Sequence, residues 1–182
     1  FAGGRSQRCK AILWGDGLMR LDQMYQEVIL DHYKNPHGKG LVEPFDSQVH
    51  HVNPTCGDEI TLRVRLSGGP GSEVVDSISF DSQGCSISQA SASVLHDQVE
   101  GVSLDQAFLT LDEFSALMKS ATADVTLDEE LLGDAIAFEG VAQYPARIKC
   151  ALLAWMAFKD AAVQATSATQ PAGDATQPAG DE

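Results

Sequence analysis

Three short segments of alternating apolar and polar residues precede a long run of helical segments, and this order constrains the fold most. The segments SQVHHVN, EITLRVRL and EVVDSISF are separated by the turn-like sequences PTCGD and GGPG. In the second segment Ile60, Leu62 and Val64 alternate with polar neighbours, as in a strand with one buried face. We therefore expect an α+β fold, with a small antiparallel three-stranded sheet and helices packed on one face.

Helix boundaries can be predicted at both ends of the pattern. An apolar face at helical spacing starts near Met19, and Pro36 ends that helix because proline disfavours the helical conformation in the residue before it. Pro145 suits the first position of the last helix. Capping-box spacing predicts three further helix starts between these points. The pairs are Ser103 with Gln106, Thr110 with Glu113, and Thr126 with Glu129.

The two ends of the sequence differ from its middle. Residues 1–18 are rich in glycine and lack periodicity, so we expect a disordered N-terminal extension there. Residues 19–165 form one domain, long enough to bury a core. The heptapeptide ATQPAGD occurs twice, at 168–174 and 175–181. Such a repeat buries too little surface to offset its ordering entropy, so we expect a disordered tail over 166–182.

The charge balance excludes some classes of function. The formal net charge is −14, which is poorly suited to holding the phosphate backbone of nucleic acid. No apolar run approaches the roughly 18 residues of a membrane-spanning helix. No signal peptide with a compact apolar stretch precedes the domain, and the chain is far larger than a small disulfide-stapled protein. We expect a cytoplasmic protein with reduced cysteines that binds neither nucleic acid nor membrane.

Three cysteines of the domain stand at the ends or first turns of elements. Cys56 lies in the turn between the first two strands, Cys85 heads a helix, and Cys150 lies early in the last helix. Thiols near helix N-termini are favoured as thiolates. Asp58 reaches the same point if the glycine before it takes a positive φ. Cys9 lies in the predicted extension and is left out of the site.

These three thiols and one carboxylate form a set of four ligands. Zinc takes tetrahedral ligands of these types, and an iron–sulfur cluster also prefers thiolates. Each cysteine alone could instead be a buried core residue, but together they favour a metal site. The wide spacing from Cys56 to Cys150 is unlike most structural zinc sites, and the carboxylate of Asp58 is a weaker zinc ligand than a thiolate. Such a site can release a ligand, and a released thiolate is a good nucleophile.

Four longer motifs give the sequence a family resemblance. MYQEVILDHYKNPHGKG, NPTCGD, GCSISQASASVL and YPARIKCALLAW resemble the U-type iron–sulfur cluster assembly proteins across essentially all of 19–165. The scaffold branch, IscU, carries a histidine just before the last cysteine and a Leu-Pro-Pro-Val-Lys motif nearby. This sequence has Lys149 and YPARIK at those places. It also has a long helical stretch before Cys150, about where the SufU branch carries an insertion, so it is most similar to SufU.

The resemblance implies a zinc-bound sulfur acceptor. SufU-type proteins work with SufS, a pyridoxal-phosphate cysteine desulfurase that takes sulfur from free cysteine as an enzyme persulfide. They deliver that sulfur to the Suf cluster-building machinery. Carried over by position, Cys56 is the acceptor, and Asp58, Cys85 and Cys150 are the remaining zinc ligands. In the family's proposed mechanism, a desulfurase histidine replaces the acceptor cysteine on zinc. The pyridoxal phosphate belongs to the partner.

Arg147 is a further catalytic candidate, because it lies three residues before Cys150 and both project to nearly one side of a helix. It matches an arginine of the SufU-type motif and either stabilises thiolate or persulfide charge or is a solvated surface residue.

Two other functions of the protein stay open. One is a scaffold that assembles a [2Fe–2S] cluster, which the missing histidine before Cys150 disfavours. The other is a non-catalytic zinc module that holds partners together.

The five histidines are expected to have structural roles. His50 and His51 are neighbours in a strand, so their side chains point to opposite faces. His32 and His37 flank the end of the first helix, where a cation is favoured by the helix dipole. His96 lies in the middle of a helix.

Overall fold

The computed structural model describes residues 10–122 and 125–169, with side chains over 22–122 and 125–168. Within this part the strands form an antiparallel sheet in the order β1–β2–β3, which confirms the predicted α+β fold. The elements are α1 (Lys10–Lys34), β1 (Ser47–Asn53), β2 (Asp58–Ser67), β3 (Val74–Gln83), α2 (Ser86–Val99), α3 (Leu104–Leu117), α4 (Glu129–Leu132), a 3₁₀ helix (Gly133–Gln143) and α5 (Pro145–Thr169).

One face of the sheet carries the core. Ile60, Leu62 and Val64 of β2 are buried, and the residues between them are partly exposed, which confirms the alternation predicted for this strand. Helix α5 packs across β1 and β2, α2 packs against β3, and α1 packs on α2. The helices therefore lie on one face of the sheet, as predicted. None of the described helices is long and apolar enough to cross a membrane.

A buried hydrogen-bonded link joins α2 to α5. The hydroxyl of Ser91 donates to the carbonyl of Ala151 at 2.6 Å and accepts from Nε1 of Trp155 at 3.0 Å. The Trp155 ring stacks on Phe114 with centroids 4.3 Å apart. Each of these polar groups is out of water, so the link satisfies groups that would otherwise be costly to bury. It fixes the relative position of the helix that follows Cys85 and the helix that carries Cys150.

Two of the three predicted capping boxes are wrong. Ser103 caps α3 as predicted, accepting from the backbone N–H of Gln106 at 3.2 Å. Thr110 starts no helix; it lies inside α3, where its hydroxyl donates back to the carbonyl of Gln106 at 3.0 Å. Thr126 does not cap α4. Asp128 does, because its carboxylate accepts a backbone N–H of the first turn at 3.0 Å.

The helices at both ends are longer than predicted. Helix α1 begins at Lys10, before the expected start at Met19, because KAILWGDGL is mostly made of residues compatible with a helix. Helix α5 continues to Thr169, beyond the expected end of the domain at residue 165. The 3₁₀ helix was not predicted at all. Cys9 and the predicted tail from residue 170 onward lie outside the described residues.

Candidate metal centre

The hairpin between β1 and β2 presents Cys56 to solvent. Asn53 and Asp58 are the last paired residues, so the four residues between them form the loop. The carbonyl of Asn53 accepts from the N–H of Gly57 at 2.8 Å, and its side-chain oxygen accepts from the N–H of Thr55 at 3.1 Å. Gly57 has a φ of 72°, which confirms that the turn needs a positive φ. Cys56 is therefore exposed at the tip of an ordered turn.

Asp58 lies at the base of the same hairpin and contacts Cys85. Its Oδ1 accepts from the N–H of Cys85 at 3.1 Å, and its Oδ2 lies 3.4 Å from the Sγ of Cys85. The carboxylate is 3% exposed and rests against Gly84, which has no side chain in the way. Ser88 ties the turn further by donating to the carbonyl of Cys85 at 3.0 Å. The end of β3 thus holds Cys85 next to the hairpin.

Cys150 reaches this point from α5. Its Sγ lies 3.3 Å from the Sγ of Cys56, although the two residues are 94 positions apart in the sequence. Cys150 is 1% exposed, whereas Cys56 is exposed. The side-chain amide of Asn53 lies 4.0 Å from the Sγ of Cys150 and donates towards it. An exposed thiol is therefore in contact with a buried one.

The structure brings the four predicted ligands to one place, with one difference between them. Ligand atoms of Cys56, Asp58 and Cys150 all lie within 4.8 Å of one another. Cys85 does not belong to this tighter group and meets it through Asp58. We refer to these four residues as the cysteine centre. Asn53, which sequence reasoning missed, stabilises the turn; the Asn-Pro-Thr stretch ahead of Cys56 is its signal, because asparagine favours such turns.

Asp58 and Cys150 of the cysteine centre differ in their protonation. Burial raises the pKa of Asp58, but hydrogen bonds from Cys150, Cys56 and Cys85 outweigh it, so the pKa lies below the ordinary value of a carboxyl. Burial and the hydrogen bonds with Cys56 and Asp58 raise the pKa of the Cys150 thiol. Without a cation, Asp58 is therefore ionised while Cys150 keeps its proton. A bound cation would displace that proton.

The donor set fits zinc by its chemistry and by its spacing. Sulfur ligands about 2.3 Å from a tetrahedral zinc lie roughly 3.7 Å from one another. The contact between Cys56 and Cys150 is 3.3 Å, and that between Cys85 and the Asp58 carboxylate is 3.4 Å. Both distances are close to this value, but Cys85 must move closer to Cys56 or Cys150 before all four ligands can surround one ion. Three thiols also suit iron in a cluster, so the donors alone do not select one metal.

A cleft of about 840 Å³ opens beside the cysteine centre, between α1, the start of α2, the 3₁₀ helix and the start of α5. Cys85 and Arg147 both line it, as do Tyr25 and Tyr144. Arg147 is exposed, and in the described part of the chain its guanidinium has no hydrogen-bond or ion-pair partner. The structure thus places Arg147 at the cleft rather than in a contact with the four predicted ligands.

Three histidines have contacts that agree with the structural roles predicted for them. His50 lies 3.6 Å from the carboxylate of Glu59, and His51 lies 2.9 Å from that of Asp160. His96 contacts the carbonyl of Ile78 at 3.0 Å. Each of them binds a neighbouring element and lies outside the groups of candidate metal ligands among the described side chains.

Comparison with known proteins gives the family. The chain matches the NifU-like N terminal domain over residues 24–151. It is 43% identical over 140 residues to the zinc-dependent sulfurtransferase SufU of Bacillus subtilis, covering 76% of this chain and 89% of that protein. It is 36% identical over 151 residues to the iron–sulfur cluster assembly scaffold protein IscU of Streptococcus pyogenes, covering 83% and 90%.

Solved structures agree with this assignment. A SUF-system iron–sulfur cluster assembly scaffold protein from Fervidobacterium islandicum AW-1 has a TM-score of 0.62 at 33% identity, covering 74% of this chain and 93% of that chain. The N-terminal part of a NifU-like protein from Brucella abortus has a TM-score of 0.68 at 24% identity, covering 81% and 97%, and so shares the fold. The resemblance predicted from the motifs is confirmed, and the chain belongs to the IscU/NifU-like family of iron–sulfur cluster assembly proteins.

Proposed function

We propose that this protein is a zinc-bound sulfur acceptor of the SufU type. It takes persulfide sulfur from a SufS-type, pyridoxal-phosphate-dependent cysteine desulfurase and passes it to the Suf iron–sulfur cluster assembly machinery. Cys56 is the acceptor, and Cys56, Asp58, Cys85 and Cys150 hold the zinc. The similarity to SufU of Bacillus subtilis supports this choice within the family. The exchange takes place in the cytoplasm, where thiols stay reduced.

One observation carries the proposal: an exposed thiol touches a buried one. The Sγ atoms of Cys56 and Cys150 are 3.3 Å apart, yet only Cys56 is accessible to a second protein. Cys56 also sits on a turn whose backbone is fixed by Asn53. The other donors are held by the start of β2, the end of β3 and the early part of α5. Cys56 can therefore leave the shared centre to meet a persulfide while the other three ligands stay in place.

The transfer balances without an outside oxidant or reductant. When bound, zinc supplies the positive charge that keeps these thiols ionised at neutral pH. The Cys56 thiolate attacks the outer sulfur of the desulfurase persulfide, and a new S–S bond forms. The S–S bond of the donor breaks, and its electron pair leaves with the desulfurase cysteine as a thiolate. Cys56 ends as a persulfide, ready for the next thiol acceptor.

Arg147 belongs to this proposal as a group that stabilises the charge of the persulfide. It lines the cleft that adjoins Cys85, and its guanidinium is unpaired within the described residues. A free guanidinium beside the route of an incoming persulfide favours the anionic sulfur, since arginine keeps its charge at all relevant pH values. The role requires no contact with the ligands themselves.

Desulfurase turnover tests the proposal. Zinc-loaded wild type, Cys56→Ala and Thr55→Ala are each added to a SufS-type desulfurase with cysteine and a thiol reductant, and alanine formation is followed. We expect strong stimulation by wild type and Thr55→Ala and none by Cys56→Ala while zinc remains bound. Thr55 is the matched control because it lies in the same loop and offers only its backbone to the turn. Equal stimulation by all three proteins would exclude Cys56 as the acceptor.

Assembly of a [2Fe–2S] cluster on the same ligands is the second candidate. The similarity to IscU of Streptococcus pyogenes favours it, while Lys149 at the place of the scaffold's histidine does not. Iron and acid-labile sulfide bound in stoichiometric amounts after anaerobic reconstitution, and then handed to an apo-acceptor, would support the scaffold. A purely structural zinc module differs from both, because Cys56→Ala would then lower zinc affinity and leave sulfur flux unchanged.

A further inference from the structure

Two histidines and a carboxylate meet where α1 ends, far from the cysteine centre. His32 lies in the last turn of α1, His37 lies just beyond it, and Asp97 lies on α2. One potential ligand atom from each lies within 4.8 Å of the other two. Among the side chains that the structure describes, the cysteine centre is the only other place where three such atoms come this close.

The His32 ring is held firmly at this place. It is 5% exposed, and its Nδ1 lies 2.8 Å from the hydroxyl of Ser93. The same hydroxyl accepts the backbone N–H of His37 at 2.8 Å, so Ser93 fixes both histidines. The two imidazole rings meet edge to face, with centroids 5.3 Å apart. Histidines that bind metals are commonly oriented by a carboxylate, a backbone carbonyl or a water that binds the other ring nitrogen, and the Ser93 hydroxyl holds His32 in a comparable way.

Carboxylates approach the pair from two sides. The Nδ1 of His37 lies 2.7 Å from Asp97, and the Nε2 of His32 lies 3.5 Å from Asp134 of the 3₁₀ helix. Two neutral imidazoles and the carboxylate of Asp97 offer three donors with a net charge of −1, which favours a cation, and Asp134 lies outside this group. Asp134 and His37 are exposed enough to adjust their side chains around an ion.

The other histidines of the described chain show what an ordinary ion pair looks like. His50 faces Glu59, His51 faces Asp160, and His96 faces Glu100, each without a second imidazole. In each case one nitrogen meets one carboxylate on the surface of a strand or helix. The cluster of His32, His37 and Asp97 therefore differs from them in kind.

We infer that His32, His37 and Asp97 form a second metal site, which takes zinc or a similar first-row divalent cation. Imidazole and carboxylate donors suit these ions, whereas calcium and magnesium prefer oxygen donors alone. Asp97 follows Cys85 by 12 residues. At about 1.5 Å of helix rise per residue the two metal sites lie roughly 18 Å apart along α2, so they load separately. A metal ion bound at the second site would link the end of α1 to α2.

Metal stoichiometry tests this inference. The whole chain is dialysed against excess zinc, and metal per chain is measured for wild type, His37→Ala, Asp97→Asn and His50→Ala. We expect two zinc ions per chain for wild type and His50→Ala and one for the other two variants, with affinity for the second ion reduced more than about tenfold. His50 is the matched control because it is also exposed and faces one carboxylate.

Two further measurements keep the result decisive. Cobalt substitution reports the cysteine centre through its thiolate-to-metal absorption, which should be the same in wild type and His37→Ala. Thermal unfolding without added metal shows whether the variants fold, and the rise in Tm with zinc in excess of the first equivalent should disappear in His37→Ala. One zinc per wild-type chain, with cobalt thiolate absorption complete at that point, would overturn the inference. So would a second zinc that persists in both His37→Ala and Asp97→Asn.

Discussion

Gly84 and Asp58 lie so close together that a Cβ on Gly84 would come within 2.7 Å of the carboxyl carbon of Asp58. A Cβ on Gly84 would also lie 2.7 Å from the hydroxyl oxygen of Ser88. The carboxylate sits at the start of β2 and the glycine at the end of β3, so this contact depends on the register of the two strands. It places the only oxygen ligand of the proposed centre beside the N–H of Cys85.

Gly84→Ala should therefore disturb the cysteine centre directly. The added methyl must move Asp58 or Ser88, and overpacking of this kind costs about 1–3 kcal/mol of unfolding free energy. Zinc affinity should fall as well, because Asp58 and Cys85 move apart. Chemical denaturation and a zinc competition titration would measure the two effects. Gly69→Ala is the control, since a Cβ there meets nothing within 4 Å. Equal zinc affinity in both variants would show that the contact does not position the ligands.

Asp58→Ala separates metal binding from sulfur transfer. Three thiols remain to hold zinc, so we expect the protein to keep about one zinc at the cysteine centre. Transfer should fall several-fold, because the carboxylate is the weakest of the four ligands and sets the balance of exchange. Desulfurase stimulation and zinc content would be measured on the same samples. Asp81→Ala, an exposed aspartate on β3, serves as the control. Normal transfer kinetics in Asp58→Ala would remove Asp58 from the proposed mechanism.

Ser91→Ala should destabilise the domain by leaving the buried indole N–H of Trp155 unpaired. The indole N–H of Trp155 loses its acceptor, at about 1–3 kcal/mol for an unsatisfied buried group, whereas the carbonyl of Ala151 keeps its hydrogen bond within α5. Urea denaturation measures the change. Ser115→Ala in α3 is the comparison, with an expected change below about 0.5 kcal/mol. The cost of Ser91→Ala should shrink in a Trp155→Phe background, and a cost that is the same in both backgrounds would contradict the link.

The raised pKa of Tyr25 predicts that the folded state becomes less stable at alkaline pH. Burial, followed by the charges of Glu139, Glu129 and Asp22, raises the pKa of Tyr25 above its ordinary value of 10.0. The folded state therefore holds this proton more tightly than the unfolded chain does. The stability gained is complete below pH 10 and is lost as pH rises through the folded pKa.

A spectroscopic titration checks this sign. Tyrosinate absorption is followed in wild type and in Tyr25→Phe, and the difference isolates Tyr25. Its midpoint should lie above pH 10, and Tyr25→Phe should lose less stability than wild type on going to higher pH. Low salt should enlarge the shift, since part of it comes from acidic side chains near the surface. A midpoint at or below pH 10 would contradict the environment described for Tyr25.

Local sequence predicts the strands, the hairpin, the end of the first helix and the start of the last helix. Alternation along Ile60, Leu62 and Val64 is a property of neighbouring residues, and so is the need for a positive φ at Gly57. The predicted capping boxes at Thr110 and Thr126 are wrong because the helix starts there depend on tertiary structure and not on neighbouring residues alone. Their spacing is suitable, but the tertiary structure continues α3 through the first, and Asp128 competes successfully as the cap near the second.

The candidate site is less evident from local patterns because its parts are far apart in the chain. The types of residue at 56, 58, 85 and 150 suggest ligands, but only the packing of α5 on the hairpin shows that Cys150 contacts Cys56. The group of His32, His37 and Asp97 was missed, because nothing in the sequence places α1 beside that turn of α2. Contacts of this kind depend on how helices pack.

The contact between Cys56 and Cys150 also bears on how the protein matures during synthesis. The hairpin leaves the ribosome early, but α5 is the last helix of the described chain to emerge. Domains fold as their segments become available, so a nascent chain without α5 displays Cys56 and Cys85 but no buried thiol between them. On the proposed function, the full ligand set is therefore available only after α5 has been synthesised, and a chain terminated before α5 never acquires it.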